Sequence, residues 1–154
     1  MTAVEWLAKH IERTVSGPLW HGPVLDELLR DVTAEQAAAR PIRDAHSIWE
    51  LVLHVAAWAE IGRARLDGRA VGDPPDELNF PAVRDASDAA WELARERMRE
   101  SYRDLAARVR QLDEETLATR VHGLPYTVSF MLHGIVEHGT YHGGQIALLK
   151  KAAR

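Results

Sequence analysis

Between three clusters of glycine and proline, at residues 17–23, 68–75 and 123–125, apolar side chains recur every three or four positions through most of the chain. That period lays them along one stripe of an α-helix, whereas a half-buried strand alternates with period two. No strand-like alternation of convincing length occurs, and there is no tandem repeat or low-complexity tract. An all-α fold follows, and four helical regions make a four-helix bundle the economical arrangement. The 154 residues match the size of one domain, spanning 1–154.

The first helical region covers about 2–30 and breaks near Ser16-Gly17-Pro18, because proline inside a helix removes a donor and clashes with the preceding turn. Pro23 can restart it as a first-turn residue. Thr33 and Gln36 have capping-box spacing for a short turn that ends before Pro41. Ser47 and Glu50 give the same signal ahead of an apolar-periodic run, so a second helix is expected from about 48 to 67. Residues 68–85, with Pro74, Pro75 and Pro81, read as a loop too irregular for a helix and long enough for a crossover or a functional rim. A third helix spans about 87–112, with Trp91, Ala94, Met98, Tyr102, Leu105, Val109 and Leu112 as its stripe, and a fourth runs from Thr127 to the C-terminus.

Charge and composition narrow the function classes. The net charge is −4 with acidic and basic residues interleaved, so no basic footprint for nucleic acid is evident. Nothing approaches the ~18 consecutive apolar residues that cross a bilayer, and no basic segment followed by an apolar run opens the chain. A cytoplasmic protein without membrane contact is expected. The chain has no cysteine, so disulfides and thiolate metal sites are excluded and any metal must be held by nitrogen or oxygen.

The fourth helix carries an anomaly. Met131, Ile135, His138, His142, Gln145 and Leu149 follow the seam that should face the interior, yet two of them are histidines and one a glutamine. Burying such groups unpaired costs about 1–3 kcal/mol each, so partners are required. His138 and His142 lie one turn apart and point the same way, as metal ligands do, although the same spacing also serves surface pairs and hydrogen-bonded core residues. On the second helix Leu51, His54, Trp58 and Ile61 share the inward rhythm, with His54 its one strongly polar member. Three histidines from two helices can converge on one ion and leave positions open for water or substrate. A metal-free polar network is the competing arrangement. The sequence His138-Gly139-Thr140-Tyr141-His142 is not the H-E-x-x-H of zincins, and Glu50 and Glu137 lack the histidine three residues on that a di-iron bundle needs.

Three segments carry a family resemblance: Trp20-His21-Gly22-Pro23, the W-E-x-x-x-H-x-x-x-W run from Trp49 through His54 to Trp58, and the H-x-x-x-H-x-G-Q-I run from His138 to Ile146. In this order they resemble the DinB/YfiT-like superfamily, in its DinB-like branch. The resemblance implies a four-helix bundle with a crossover connection, frequently a homodimer, and one divalent transition ion, zinc or nickel, on His54, His138 and His142. It also implies, for some members, transfer of a low-molecular-weight thiol such as bacillithiol, mycothiol or glutathione to an electrophile. A metal-dependent hydrolase and a non-catalytic metal- or ligand-binding stress protein are the alternatives.

Around the triad, Glu50 is either the partner of Ser47 in the helix cap or a group acting on His54 or on a metal-bound ligand, and the two roles can coexist. Gln145 can orient a ligand or bridge helices. His21, at the helix break, suits pocket lining better than ligation, while His10, His46, His122 and His133 fit surface or capping roles. Trp58 and Trp91 read as core. Arg95, Arg97, Arg99 and Arg103 alternate with Glu92, Glu96 and Glu100 as on a solvated helix face. The 68–85 loop is expected to help shape the pocket.

Overall fold

A computed structural model describes residues 1–69 and 72–153, so the part of the 68–85 loop at residues 70–71 and the last residue of the 1–154 domain lie outside it. The described chain is mostly helical and contains no strand, only isolated bridges between Leu19 and Gly22 and between Arg120 and Thr127.

Helix α1 (Ala3–Ser16) starts where the Thr2 hydroxyl accepts from the Glu5 N–H, and it buries Val4, Leu7, Ala8, Ile11 and Val15 on one stripe. It stops ahead of Pro18, as the sequence requires. The chain does not become helical again at Pro23. Helix α2 (Leu25–Leu29) begins after Val24, whose N–H is capped by the Glu27 carboxylate at 3.2 Å, leaving Pro23 outside the first turn. Thr33 and Gln36 close their capping box on α3 (Ala34–Ala38), and Ser47 and Glu50 do the same on α4 (Ile48–Leu66). Residues 68–85 hold a short helix that the proline count concealed. Pro75 is the N-cap of α5 (Asp76–Asn79), and Asp76 and Glu77 place negative charge at its N-terminal end, where unpaired N–H groups favour it. Helix α6 (Asp88–Val109), a 3-10 turn (Glu114–Ala118) and α7 (Val128–Ala152) complete the order.

Each of α1 and α4 packs mainly against both α6 and α7, so the two long helices that come first in sequence are not principal neighbours. Helix α4 is buried almost all round because α3 and α5 cover what α6 and α7 leave free. The core is continuous from Ile11 and Leu29 through Val52, Val55 and Met98 to Leu132 and Ile146. Tyr102 of α6 reaches α7 at Gly139, where an added Cβ would lie 2.7 Å from the tyrosine oxygen and 2.6 Å from Thr14 Cγ2. Only a glycine allows that approach, and it falls between His138 and His142.

The arginine-rich face of α6 is used between helices as well as along its own surface. Arg97 forks onto Glu60 of α4 with both bonds at 2.7 Å, Arg99 pairs with Asp26 of α2, and Arg110 forks onto Glu12 of α1.

Candidate metal centre

The inward rhythms of α4 and α7 bring His54, His138 and His142 to one place, with one ring nitrogen from each inside a 4.8 Å set. His54 and His142 are buried and His138 half-buried. His138 Nε2 lies 2.9 Å from His54 Nε2 and 3.0 Å from His142 Nε2. Imidazole nitrogens bind zinc at about 2.0–2.1 Å, which sets neighbouring donors about 3 Å apart, so this spacing suits a shared ion.

The hydrogen-bond partners decide which nitrogens carry lone pairs. His54 Nδ1 lies 2.6 Å from the Asn79 carbonyl, which can only accept, so Nδ1 holds the proton and Nε2 the lone pair. His142 Nδ1 lies 2.6 Å from Gln145 Oε1, and Gln145 Nε2 donates to the Tyr141 hydroxyl at 3.1 Å. His142 Nε2 is therefore also a lone pair. His138 has a buried Nδ1 with no partner, and its Nε2 faces both of the others. Three neutral rings can place at most one proton among these three converging nitrogens. A cation there satisfies all three, and the donor set fits a divalent transition metal.

Electrostatics keeps the rings in the ligating, neutral form. Burial, then the neighbouring His142 and His54, pushes His138 down to about 3. Burial also lowers His54, opposed by its bond to the Asn79 carbonyl, and lowers His142, opposed by its bond to Gln145.

Segment α5 supplies what the sequence did not reveal. Asn79 accepts from His54 through its backbone and from Trp58 Nε1 through Oδ1 at 2.9 Å. Phe80 lies parallel to His54 with centroids 3.9 Å apart and to His46 with centroids 4.0 Å apart, so its ring is held between two imidazoles. Backbone acceptors leave no side-chain pattern to read, but Pro75-Asp76-Glu77 was a readable helix start.

The other candidates are dispersed. The Glu50 carboxylate takes the Ser47 N–H at 2.7 Å and pairs with Arg40 and His46, and none of these is a triad imidazole. His21 is exposed and lines a separate cavity of about 170 Å³ beside Gly139 and Gly143. Trp91 is core, with its Nε1 donating to the Val32 carbonyl. Trp58 is not: half-buried and tied to Asn79, it forms a wall of a cavity of about 360 Å³. His54 and His138 stand at one end of that cavity, and Phe130, Met131 and Ile135 line its sides.

A largely helical chain, without strands among the described residues, whose three converging imidazoles include two that line an apolar cavity, defines a class of helical proteins equipped to hold a metal. Within that class the chain belongs to the DinB superfamily, whose family model matches residues 20–146. Neither a curated protein nor a solved structure matches it with significance. No helix among the described residues is long and apolar enough to cross a membrane.

Proposed function

We propose that this protein is a metal-dependent S-transferase that joins a low-molecular-weight thiol to a small electrophile, using one divalent transition ion, zinc or nickel, on His54, His138 and His142. The observation that carries the reading is the convergence of three Nε2 atoms, at 2.9 and 3.0 Å, beside a cavity of ligand size. Cavities that hold small molecules run from about 300 Å³ upward.

Held by His54, His138 and His142, a divalent ion would supply Lewis acidity and raise the thiolate fraction of a thiol at neutral pH. The thiol proton passes to water, the sulfur bonds to the electrophilic carbon, and the leaving group departs with its bonding pair. The protein's own part is positional. The Asn79 carbonyl and Gln145 hold the Nδ1 protons of His54 and His142, fixing the tautomers that ligate. Trp58 and Ile135 exclude water from the electrophile. Glu50 acts indirectly, anchoring the first turn of α4 one turn ahead of His54.

The helix arrangement fits a four-helix bundle in which the connection from α1 to α4 crosses over. A homodimer is supported by α7, whose outward Phe130, Tyr141 and Leu148 are 67%, 64% and 64% exposed on one face. The site addresses small molecules rather than nucleic acid, in keeping with a cytoplasmic enzyme.

The test is elemental analysis of untagged protein purified without added metal, beside the triple variant His54→Ala, His138→Ala, His142→Ala. About one ion per chain is expected in the first and none in the second. Equal metal in both removes the site. Turnover of thiol-plus-electrophile mixtures is then compared with that of esters and amides at equal metal loading, and activity without any thiol replaces the transferase reading by hydrolysis.

A further inference from the structure

Arg65 is the one buried arginine among the described residues, 6% exposed, and no carboxylate there pairs with it. It sits in the last turn of α4, and its side chain leans back along the helix so that the guanidinium lies 5.5 Å from the centroid of the Trp58 ring. Nη1 donates to the Tyr126 hydroxyl at 2.9 Å and Nη2 to the Gly72 carbonyl at 2.7 Å. These bonds use two of the five N–H groups, and Nε is buried with no partner. Arg63 and Arg95 also have an unpartnered Nε, but both are neutralised, by Asp104 and Glu92.

A cation removed from water without a counter-ion is costly, and the polar contacts here soften that cost without cancelling the charge. The carbonyl end of α4 and the face of Trp58 both favour a positive group, which keeps the guanidinium in place. What remains is a fixed charge with free donors that lines the same cavity as His54 and His138. Trp58 bridges the two ends, since its ring also lies 5.9 Å from the His138 ring. The separation is within the length of one small molecule, and the walls between are apolar.

We propose that Arg65 is the anion-binding residue of this pocket and that the substrate presented to the triad is a small carboxylate with an apolar body. The carboxylate takes the free N–H groups of Arg65, the body lies along Trp58 and Ile135, and the reacting end faces His54 and His138. Guanidinium suits this task because its planar donors match a carboxylate two at a time. The orientation toward the triad rests on the transferase reading, whereas the preference of Arg65 for an anion does not.

The experiment titrates the full-length protein, as purified and after metal stripping, with 3-phenylpropionate and 4-phenylbutyrate and with their carboxamides. The Arg65 Nε–H and Trp58 Nε1–H signals are followed by NMR. The acids should bind at least ten-fold more tightly than the amides and shift both signals, with or without metal. Arg65→Gln should erase the preference and Arg65→Lys reduce it, with metal content unchanged; if these variants fail to fold, the acid-to-amide ratio of the unaltered protein decides. Equal affinities, binding that leaves Arg65 unshifted, a preference lost on metal stripping while the helices persist, or no acid binding at millimolar concentration would each overturn the proposal. A protein that selects acids through Arg65 but holds no metal would instead end the transferase reading and leave this one standing.

Discussion

The approach of α7 at Gly139 makes one substitution unusually informative. In Gly139→Ala the new Cβ would sit 2.6 Å from Thr14 Cγ2 and 2.7 Å from the Tyr102 oxygen, where ordinary contacts begin near 3.4 Å. Neither neighbour can retreat. Thr14 is buried with its hydroxyl bound to the His10 carbonyl at 3.0 Å, and Tyr102 is 1% exposed. Helix α7 must therefore move outward by most of an ångström. Overpacking of this kind costs about 1–3 kcal/mol, and exchanging glycine for alanine in a helix returns up to about 1 kcal/mol. With the full propensity gain the net expectation is a loss of up to about 2 kcal/mol, or up to about 8 °C in Tm for a chain of this size. The same movement draws His138 and His142 away from His54, so metal affinity should fall at least ten-fold. Urea denaturation of the metal-free protein reads the first effect and competition with a chromophoric chelator the second. Gly134→Ala is the control. A Cβ there meets nothing within 4 Å, so the propensity gain stands alone and α7 should be stabilised. If Gly139→Ala proves as stable as Gly134→Ala, the close approach does not position α7 and the reasoning fails.

Other expectations concern protons, the ligand shell and assembly. The folded-state pKa of each triad histidine is lowered, that of His138 to about 3 from 6.5, so the unfolded chain binds more protons between those values. Stability of the metal-free protein should decline as pH falls below about 6.5, by at most about 1.4 kcal/mol per pH unit for each histidine, and a urea midpoint unchanged from pH 7.5 to pH 5 would contradict it. Metal affinity should hold to lower pH than free histidines allow, as chelator competition at pH 6 and pH 7 would show. Gln145→Ala removes the acceptor that fixes the His142 tautomer and should weaken metal binding about 10–100-fold with little change in circular dichroism. Leu148→Glu on the outer face of α7 should shift a homodimer to monomer in light scattering without altering metal content.

The metal candidates were legible because three histidines occupied positions where helical period demanded apolar residues. A polar residue on a core seam is a contradiction that the sequence displays openly. The surroundings of those histidines were not. Asn79 works largely through a backbone carbonyl, which any residue possesses, and only the fold carries it 25 positions back to His54. Arg65 is hidden for another reason. It stands among Arg63, Asp67 and Arg69 in a stretch that reads as a polar helix end, and burial alone singles it out. Trp58 followed the apolar rhythm faithfully, yet α7 leaves an opening beside it, so a core-like position became a cavity wall. The arginines of α6 show the same limit from the other side: Arg95 and Arg99 do pair with Glu92 and Glu96 along the helix, but spacing on one helix cannot show that Glu60 or Asp26 waits on another.

The pairing of His54 with His138 spans 84 residues of chain. A chain with no cysteine has no covalent means of closing such a loop, but an ion held by both histidines would tie α4 to α7 as a reversible crosslink. By the loop-entropy relation used for disulfides, a tie of that length restricts the unfolded chain by about 4–5 kcal/mol. Loading and release of one ion would then govern how long the protein survives as well as what it can do, and scarcity of metal would be felt first as a shortened lifetime.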